Sequence, residues 1–271
     1  VVLICAVLAA MAQVRVATPN IELILNAEPG QELQIAYFGG RLADGDLANL
    51  QAAGAPNHNA YPPYGFNCPS EASLAVTHMD GNMSTVLKVE SVAQTDEPSA
   101  KVTRIRLKDT VYPFYVTVCY RAYQDVDMIE TWTEIENLEK KPVTLTRFDS
   151  GYLPIRVGDV WVSHLYGTWA NEGRLAQETL ERGMMTIKNK DGVRNAHTDH
   201  AEVMFSLGGK PQENTGRVIG AALCYSGNYE LRIDTRDTDY HQFFAGINPD
   251  NSSYSLASKE VFKTPELALT Y

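Results

Sequence analysis

Short segments in which apolar and polar residues alternate recur along most of the chain. Thr103–Lys108 places Thr103, Ile105 and Leu107 on one face and basic residues on the other, and Met128–Glu136 alternates in the same way. A period of two with one polar face is typical of antiparallel strands in a sheet that is half open to water. The pattern therefore predicts a protein built mostly of β-strands.

Longer segments refine this prediction. Val218–Tyr225 is nearly all apolar, which predicts a central strand buried on both faces. Ala43–Pro69 has no regular period and is expected to form a long loop, whereas Arg174–Arg182 is the one short helix candidate. We expect an all-β fold of two large antiparallel sheets packed face to face, with few short helices, in a single domain over residues 13–271.

The first twelve residues have the character of a targeting segment. Val1–Ala12 is apolar or small throughout, and it ends in Ala10-Met11-Ala12, the A-x-A pattern of a cleavage site. This pattern predicts the remnant of a signal peptide over residues 1–12 and export to the periplasm or the cell exterior. The alternative is that the segment forms a buried first strand.

Charge and composition exclude some classes of partner. The chain has 271 residues, of which 44% are hydrophobic and 21% charged, and its formal net charge is −10. An acidic surface repels phosphate backbones, so no nucleic-acid partner is expected. The apolar segment Val1–Ala12 is too short to span a bilayer, so no membrane partner is expected either.

The sequence contains no motif for a cofactor, a metal or an activated nucleophile. Walker loops, G-x-G-x-x-G and G-x-S-x-G are all absent. His197 and His200 flank Asp199 in a polar segment, where solvated loop histidines are the more common reading than metal ligands. We therefore expect neither a cofactor nor a metal.

Acidic residues of one predicted strand offer half of a possible hydrolytic site. Glu130, Glu134 and Glu136 share a face with Trp132. Glycoside hydrolysis requires two carboxylates, about 5–5.5 Å apart for retention or about 6.5–9.5 Å apart for inversion. The alternative, which alternating charges on half-open sheets favour, is a solvated outer face.

A second aromatic segment suits a sugar better. Trp161 and Trp169 are two of the three Trp residues, and Trp169 is followed closely by Asn171, Glu172 and Arg174. An aromatic face beside polar side chains matches the apolar C–H face and the hydroxyl rim of a saccharide. The segment is therefore a candidate for a sugar-facing or interface loop. The alternative is a Trp packed at the edge of a sandwich beside a Glu172–Arg174 ion pair.

The same segment carries a family resemblance. Ser163–Arg174 resembles the H-L-x-G-x-W-x-x-E segment of family 36 glycoside hydrolases, the bacterial α-galactosidases. Phe38–Leu42 is similar to the family's first aromatic-Gly-x-Arg-Leu strand end, and Asn214–Leu223 to its core strand. Thr264–Tyr271 resembles the segment that ends the family's N-terminal domain. The motifs occur in the family's order, over residues 21–271.

The resemblance implies a fold and a role. The fold is the β-supersandwich of the family's N-terminal domain, which is similar to galactose-mutarotase-like folds. In the family, a (β/α)₈ barrel follows and carries both catalytic aspartates for retaining hydrolysis of terminal α-galactosides. No catalytic residue is therefore expected in this chain, which should be inactive alone. The implied partners are its own C-terminal barrel, α-galactoside sugars and further copies in a homo-oligomer.

The resemblance also implies a loop at the rim of the active site. Many members have Y-G-x-G-D-F-R where this chain has Tyr64-Gly65-Phe66-Asn67-Cys68-Pro69. The family's acidic residue is replaced here, although Asn67 retains a side chain that forms hydrogen bonds. With the aromatic segment, the predicted substrate-binding residues are Tyr64, Asn67, Trp169 and Glu172.

Two other functions fit the same sequence. One is a free-standing carbohydrate-binding β-sandwich. The other is a mutarotase-like epimerase, which would need a His and a carboxylate in one cleft as acid and base, with His164 or His241 as the candidate.

Overall fold

The computed structural model describes residues 6–7, 13–52, 58–65, 71–194 and 198–271. Within these ranges the chain is nearly all β, with one helix, α1 (Asp44–Ala52). The strands, in chain order, are β1 (Ala6–Val7), β2 (Gln13–Ala17), β3 (Ile21–Asn26), β4 (Gln34–Gly40), β5 (His58–Asn59), β6 (Leu74–Thr77), β7 (Leu87–Glu97), β8 (Ala100–Asp109), β9 (Phe114–Tyr123), β10 (Ile129–Asn137), β11 (Val143–Ile155), β12 (Val160–Thr168), β13 (Asn171–Thr179), β14 (Gly183–Lys188), β15 (Asp199–Leu207), β16 (Arg217–Leu223), β17 (Tyr229–Asp237), β18 (Tyr240–Ile247), β19 (Tyr254–Leu256), β20 (Val261–Lys263) and β21 (Leu267–Thr270).

The chain forms two compact units. The first comprises Val1–Arg147 and Ser253–Lys263, and the second comprises Phe148–Ser252 and Thr264–Tyr271. The prediction of a single domain over residues 13–271 stays a prediction. The predicted cleavage motif at residues 10–12 lies outside the described residues.

The first unit contains two antiparallel sheets. One has the order β1-β7-β8-β9-β10, with β20 also paired to β10, and the other has the order β2-β3-β4-β5. The start of β11 pairs with β19. The predicted alternation is confirmed on β8, where Thr103, Ile105 and Leu107 are all buried. A further buried cluster of Val102, Cys119 and Trp132 joins the central strands.

The second unit also contains two antiparallel sheets. Their orders are β21-β16-β15-β12-β13 and β14-β17-β18-β11. Alternate apolar residues such as Val162 and Phe205 are fully buried. Phe205 lies in the first of these sheets and Phe243 in the second. Their rings meet in an edge-to-face contact, with centroids 5.1 Å apart. The predicted fold class, all-β with antiparallel sheets, is confirmed.

Three local predictions are wrong. The helix expected over Arg174–Arg182 is replaced by β13, which pairs with β12. The loop expected over Ala43–Pro69 contains α1, whose first turn carries Asp44 and Asp46. Acidic side chains there interact favourably with the helix dipole.

The third concerns the strand expected over Val218–Tyr225 to be buried on both faces. It runs as β16 between β15 and β21, but Val218 is exposed and burial alternates along it. In the described part of the chain, no helix is both long enough and apolar enough to cross a membrane.

Candidate functional site

The hairpin of β12 and β13 carries the predicted residues Trp169 and Glu172. Thr168 pairs with Asn171, so that Trp169 and Ala170 form the turn. Ala170 has a φ of 59°, in the left-handed region. A Cβ on Gly167 would lie 2.6 Å from the Glu172 Cα, so only glycine fits where the two strands approach each other.

Trp169 lies almost entirely in solvent, with an exposed fraction of 82%. The alternative of a Trp packed at the edge of a sandwich is therefore wrong in this chain. A large aromatic ring held in water at a turn suits a ligand or another surface, because its apolar face gains from being covered.

Glu172 has a structural contact at the same turn. Its Oε1 accepts a hydrogen bond from the Ala170 backbone N–H at 3.0 Å. The Arg174 guanidinium lies 5.9 Å from the centre of the Tyr166 ring. Glu172 therefore stabilises the turn that presents Trp169.

Tyr64 belongs to the first unit, where its ring is half exposed. Its backbone N–H donates to the Leu74 carbonyl at 2.7 Å, and its carbonyl accepts from the Thr85 N–H at 3.1 Å. The next residue, Gly65, has a φ of 120°, and a Cβ there would lie 2.8 Å from the Ser84 Cα. This segment therefore requires glycine beside Tyr64. Asn67 lies outside the described residues.

A buried polar network lies behind the Tyr64 segment. His78 Nδ1 is 2.7 Å from Glu139 Oε1, and His78 Nε2 is 3.1 Å from Thr85 Oγ1. All three residues are at most 2% exposed. Thr85 therefore joins Tyr64, through its backbone, to His78 and Glu139, through its side chain. We call His78, Thr85 and Glu139 the anchor network.

The outer side of the anchor network is closed by an aromatic ring. Tyr112 stacks on the His78 imidazole, with ring centroids 3.8 Å apart and planes 10° apart. The Tyr112 hydroxyl donates to Asp80 Oδ2 at 2.8 Å. Hydrogen bonds from the Asn82 backbone and from this hydroxyl lower the pKa of Asp80 from its ordinary value. No local sequence signal marks this network, because its parts come from separate segments.

The acidic face of β10 is occupied by internal contacts. Glu130 accepts from Arg121 at 2.8 Å, and Glu136 accepts from Arg106 at 2.6 Å. Glu134 accepts from the indole N–H of the buried Trp132 at 3.2 Å. Carboxylates fixed to arginines of other strands of the sheet are suited to sheet stability rather than to acid–base exchange with a substrate.

The two histidines considered for an epimerase lie in different settings. His241 is buried, and its ring contacts the Thr235 hydroxyl at 3.0 Å and the Val157 carbonyl at 3.2 Å. Burial lowers the pKa of His241. His164 Nε2 is 3.8 Å from Glu178 Oε1, too far for a hydrogen bond. Among the described residues, no group of three or more His, Cys, Asp and Glu side chains is placed to hold a metal ion.

The predicted sugar-binding residues therefore fall into separate settings. Trp169 and Glu172 meet at the β12–β13 turn of the second unit. Tyr64 lies in the first unit, on a segment fixed by backbone hydrogen bonds. Both settings present an aromatic ring to solvent, as a saccharide-facing surface requires.

The fold defines an all-β domain built of antiparallel sheets. A family model described as "Glycosyl hydrolase family 36 N-terminal domain" matches residues 31–257. The chain belongs to this family.

Curated relatives agree with this assignment. The chain is 26% identical over 176 residues to the bifunctional alpha-galactosidase/sucrose kinase AgaSK of Mediterraneibacter gnavus, covering 65% of this chain and 19% of the relative. It is 26% identical over 175 residues to the alpha-galactosidase AgaA of Geobacillus stearothermophilus, covering 65% of this chain and 24% of the relative. The chain thus spans about a fifth to a quarter of the length of these relatives.

Solved structures show the same fold. The galactosidase domain of AgaSK superposes with a TM-score of 0.87 at 22% identity, covering 98% of this chain and 41% of that structure. AgaA of Geobacillus stearothermophilus in complex with raffinose gives 0.86 at 22% identity, covering 96% and 40%. A putative aldose 1-epimerase from Escherichia coli gives 0.50 at 10% identity, covering 96% and 99%. The predicted galactose-mutarotase-like β-supersandwich is confirmed.

Proposed function

We propose that this chain is the N-terminal supporting domain of an α-galactosidase that hydrolyses terminal α-galactosides with retention of configuration. The match to the family 36 N-terminal domain over residues 31–257 is the observation that carries the proposal. The catalytic aspartates belong to a C-terminal (β/α)₈ barrel, against which this domain packs. The chain alone is inactive.

The contacts of the carboxylates support a structural rather than a catalytic role for this domain. Glu130 and Glu136 are bound to arginines, and Glu172 holds the Ala170 amide. A retaining glycosidase needs one carboxylate as nucleophile and a second as acid and base. These three side chains serve the sheet and the turn, and in this proposal the catalytic pair belongs to the rest of the enzyme.

In this proposal the domain contributes to substrate binding through Tyr64, which contacts the substrate at the rim of the active site. The ring is half exposed, and its backbone is fixed to Leu74 and Thr85. A fixed aromatic ring suits the apolar face of a galactosyl unit and costs little conformational entropy on binding. Asn67 is the second rim residue in this proposal, and Trp169 with Glu172 forms a separate sugar-facing or interface turn.

The mature enzyme is exported and assembles as a homo-oligomer in this proposal. Export is supported by the apolar segment Val1–Ala12 with its Ala10-Met11-Ala12 motif. N-terminal sequencing of the protein recovered outside the cytoplasm tests it. A mature chain that begins at Gln13 is expected, and retention of residues 1–12 would contradict cleavage at this motif.

The function is tested by hydrolysis of p-nitrophenyl α-galactoside. The 271-residue chain is compared with the full-length protein that contains it. We expect turnover by the full-length protein alone, and the folded state of the shorter chain is checked by circular dichroism. Turnover by the folded 271-residue chain would overturn the proposal.

A free-standing carbohydrate-binding module is the second candidate, favoured by the 82% exposure of Trp169. It predicts that the 271-residue chain binds a galactoside polymer without help from another domain. Affinity electrophoresis in a galactomannan gel, with Trp169→Ala as the matched variant, distinguishes it. Retardation that disappears in the variant would favour the binding module.

A further inference from the structure

Strand β13 forms an open edge of its sheet. It is the last strand in the order β21-β16-β15-β12-β13, and among the described residues it pairs with β12 only. Eight of its nine residues are exposed, and Ala176 is half buried. The backbone N–H and C=O groups on its outer side therefore face away from the sheet, which is a template for another strand.

This edge carries charged side chains, but it lacks two other features that often prevent strand pairing, short length and proline or lysine. Natural edge strands are often very short or carry proline or lysine. The other ends of these sheets are shorter, since β1 and β5 have two residues each, β19 has three, β2 has five, and β14 has six and ends in Lys188. β13 has nine residues and contains neither proline nor lysine.

The sequence of β13 is complementary to itself in one antiparallel register. A two-fold axis through Ala176 places Arg174 of each copy opposite Glu178 of the other, giving two ion pairs. An axis through Leu175 would place Glu172 opposite Glu178, and an axis through Arg174 would place two arginines opposite each other. Opposite charges in facing positions stabilise an antiparallel pair and like charges destabilise it.

The side chains needed for this register are available in the single chain. The Glu178 side chain is 60% exposed, and its contact with His164 is 3.8 Å long. Arg174 is exposed and rests 5.9 Å from the Tyr166 ring centre. Leu175, between them, is 56% exposed and would be partly covered by a second strand.

We propose that β13 pairs antiparallel with β13 of a second copy of this chain, centred on Ala176, and so joins two sheets across a two-fold axis. The inference rests on the homo-oligomer of the proposed function and assigns its contact surface. A symmetric contact of this kind is self-complementary, as a two-fold interface must be. Backbone hydrogen bonds supply the affinity, and the Arg174–Glu178 pairs fix the register.

Charge exchange in the full-length protein tests the register. Glu178→Arg and Arg174→Glu each place like charges opposite one another, and the double variant restores two opposite pairs. We expect each single variant to weaken this association about tenfold or more and the double variant to recover it. Sedimentation velocity over a dilution series gives the dissociation constants, with Glu213→Arg, a charge reversal in an exposed loop, as the control.

A cross-link tests the centre of the register. Because facing residues have Cβ atoms about 4.5–5.5 Å apart, Ala176→Cys is expected to form a disulfide-linked dimer on mild oxidation. Leu175→Cys faces Gln177 of the other copy and is expected to cross-link far less. The unsubstituted protein reports any dimer formed by its natural cysteines, of which Cys224 is exposed.

Two outcomes overturn the inference. One is a protein that is monomeric at all concentrations, and the other is an association that the single exchanges leave unchanged or that the double exchange fails to restore. Hydrolysis of p-nitrophenyl α-galactoside is measured on the same samples. Full activity without β13 pairing contradicts only this inference, whereas β13 pairing in a full-length protein without activity contradicts only the proposed function.

Discussion

Tyr64 and Trp169 both present an aromatic ring to solvent, but the chain holds them in different ways. Tyr64 is fixed by backbone bonds to Leu74 and Thr85, and Thr85 is joined to the buried pair of His78 and Glu139. Trp169 lies at a two-residue turn held by a local contact between Glu172 and Ala170.

The two settings differ in how firmly they hold the aromatic residue: one fixes Tyr64 in position, whereas the other only presents Trp169 to solvent. The anchor network connects residues far apart in sequence, since His78 and Glu139 are 61 positions apart, so it fixes Tyr64 relative to the core. The hairpin turn depends on the Glu172–Ala170 contact and on one backbone bond, from the Gly167 N–H to the Thr198 carbonyl at 2.8 Å, so it presents Trp169 with few links to the rest of the fold. A rim contact that must meet a substrate in a fixed place is expected in the first setting. A surface that meets a partner is compatible with the second.

Among changes near Tyr64 and Trp169, breaking the anchor network should have the largest effect on the free energy of unfolding. His78→Ala leaves the buried Glu139 carboxylate and Thr85 hydroxyl without their partner, and we expect the free energy of unfolding to fall by about 3 kcal/mol or more. Urea unfolding of the 271-residue chain measures the change. His200→Ala, a partly exposed histidine beside Glu202, is the matched control, expected to cost under about 1 kcal/mol. Equal losses in the two variants would contradict the special role of the network.

The two glycines beside the aromatic residues allow a direct comparison of the settings. Gly65→Ala meets both a φ of 120° and the Ser84 backbone, whereas Gly173→Ala meets a φ of 71° and open space. We expect losses of about 2–3 kcal/mol for the first and about 1 kcal/mol for the second. Urea midpoints of the two variants measure the difference, and a larger loss at Gly173 would reverse the comparison.

Removing the Tyr64 ring should affect substrate binding more than stability. In the full-length enzyme we expect Tyr64→Ala to raise KM for a galactoside about tenfold, which corresponds to about 1.4 kcal/mol. Tyr64→Phe keeps the ring, so its KM should stay within about threefold of that of the parent enzyme. Met83→Ala, an exposed apolar residue of the same unit, is the control. An unchanged KM in Tyr64→Ala would remove Tyr64 from the rim.

Trp169 should contribute little to folding, in contrast to Trp132. Trp169→Ala removes a ring that is 82% exposed, so we expect the free energy of unfolding to change by about 0.5 kcal/mol or less. Trp132→Ala removes a ring that is 1% exposed and should cost about 3–5 kcal/mol. Thermal or urea unfolding of both variants measures this contrast. A large loss at Trp169 would mean that the turn is coupled to the core.

The sequence predicted the strands well because alternation records which face of a sheet is buried. Met128–Glu136 was expected and Ile129–Asn137 is observed. The prediction of a helix over Arg174–Arg182 is wrong. Leu175, Ala176 and Gln177 favour a helix locally, but pairing with β12 decides their conformation. Such pairing is a tertiary contact, and it leaves no local pattern within the segment.

The candidate site was predictable only in part. Tyr64 and Trp169 were found through aromatic content and family motifs, and their exposure agrees with a surface role. The anchor network could not be predicted, because His78, Thr85 and Glu139 carry no shared motif and meet only after the sheets have formed. The pattern predicts that the acidic residues of β10 share one face, but it does not predict their arginine partners, which lie on β9 and β8.

The central claim is that this domain positions an aromatic residue and supplies no catalytic carboxylate. Glu130→Gln, Glu134→Gln and Glu172→Gln in the full-length enzyme test it most directly, with kcat for p-nitrophenyl α-galactoside as the readout. We expect each kcat to stay within about twofold of the parent, since losing a catalytic carboxylate costs on the order of a thousandfold or more, as for other essential groups. A thousandfold loss in any folded variant would place a catalytic group in this chain and contradict the claim.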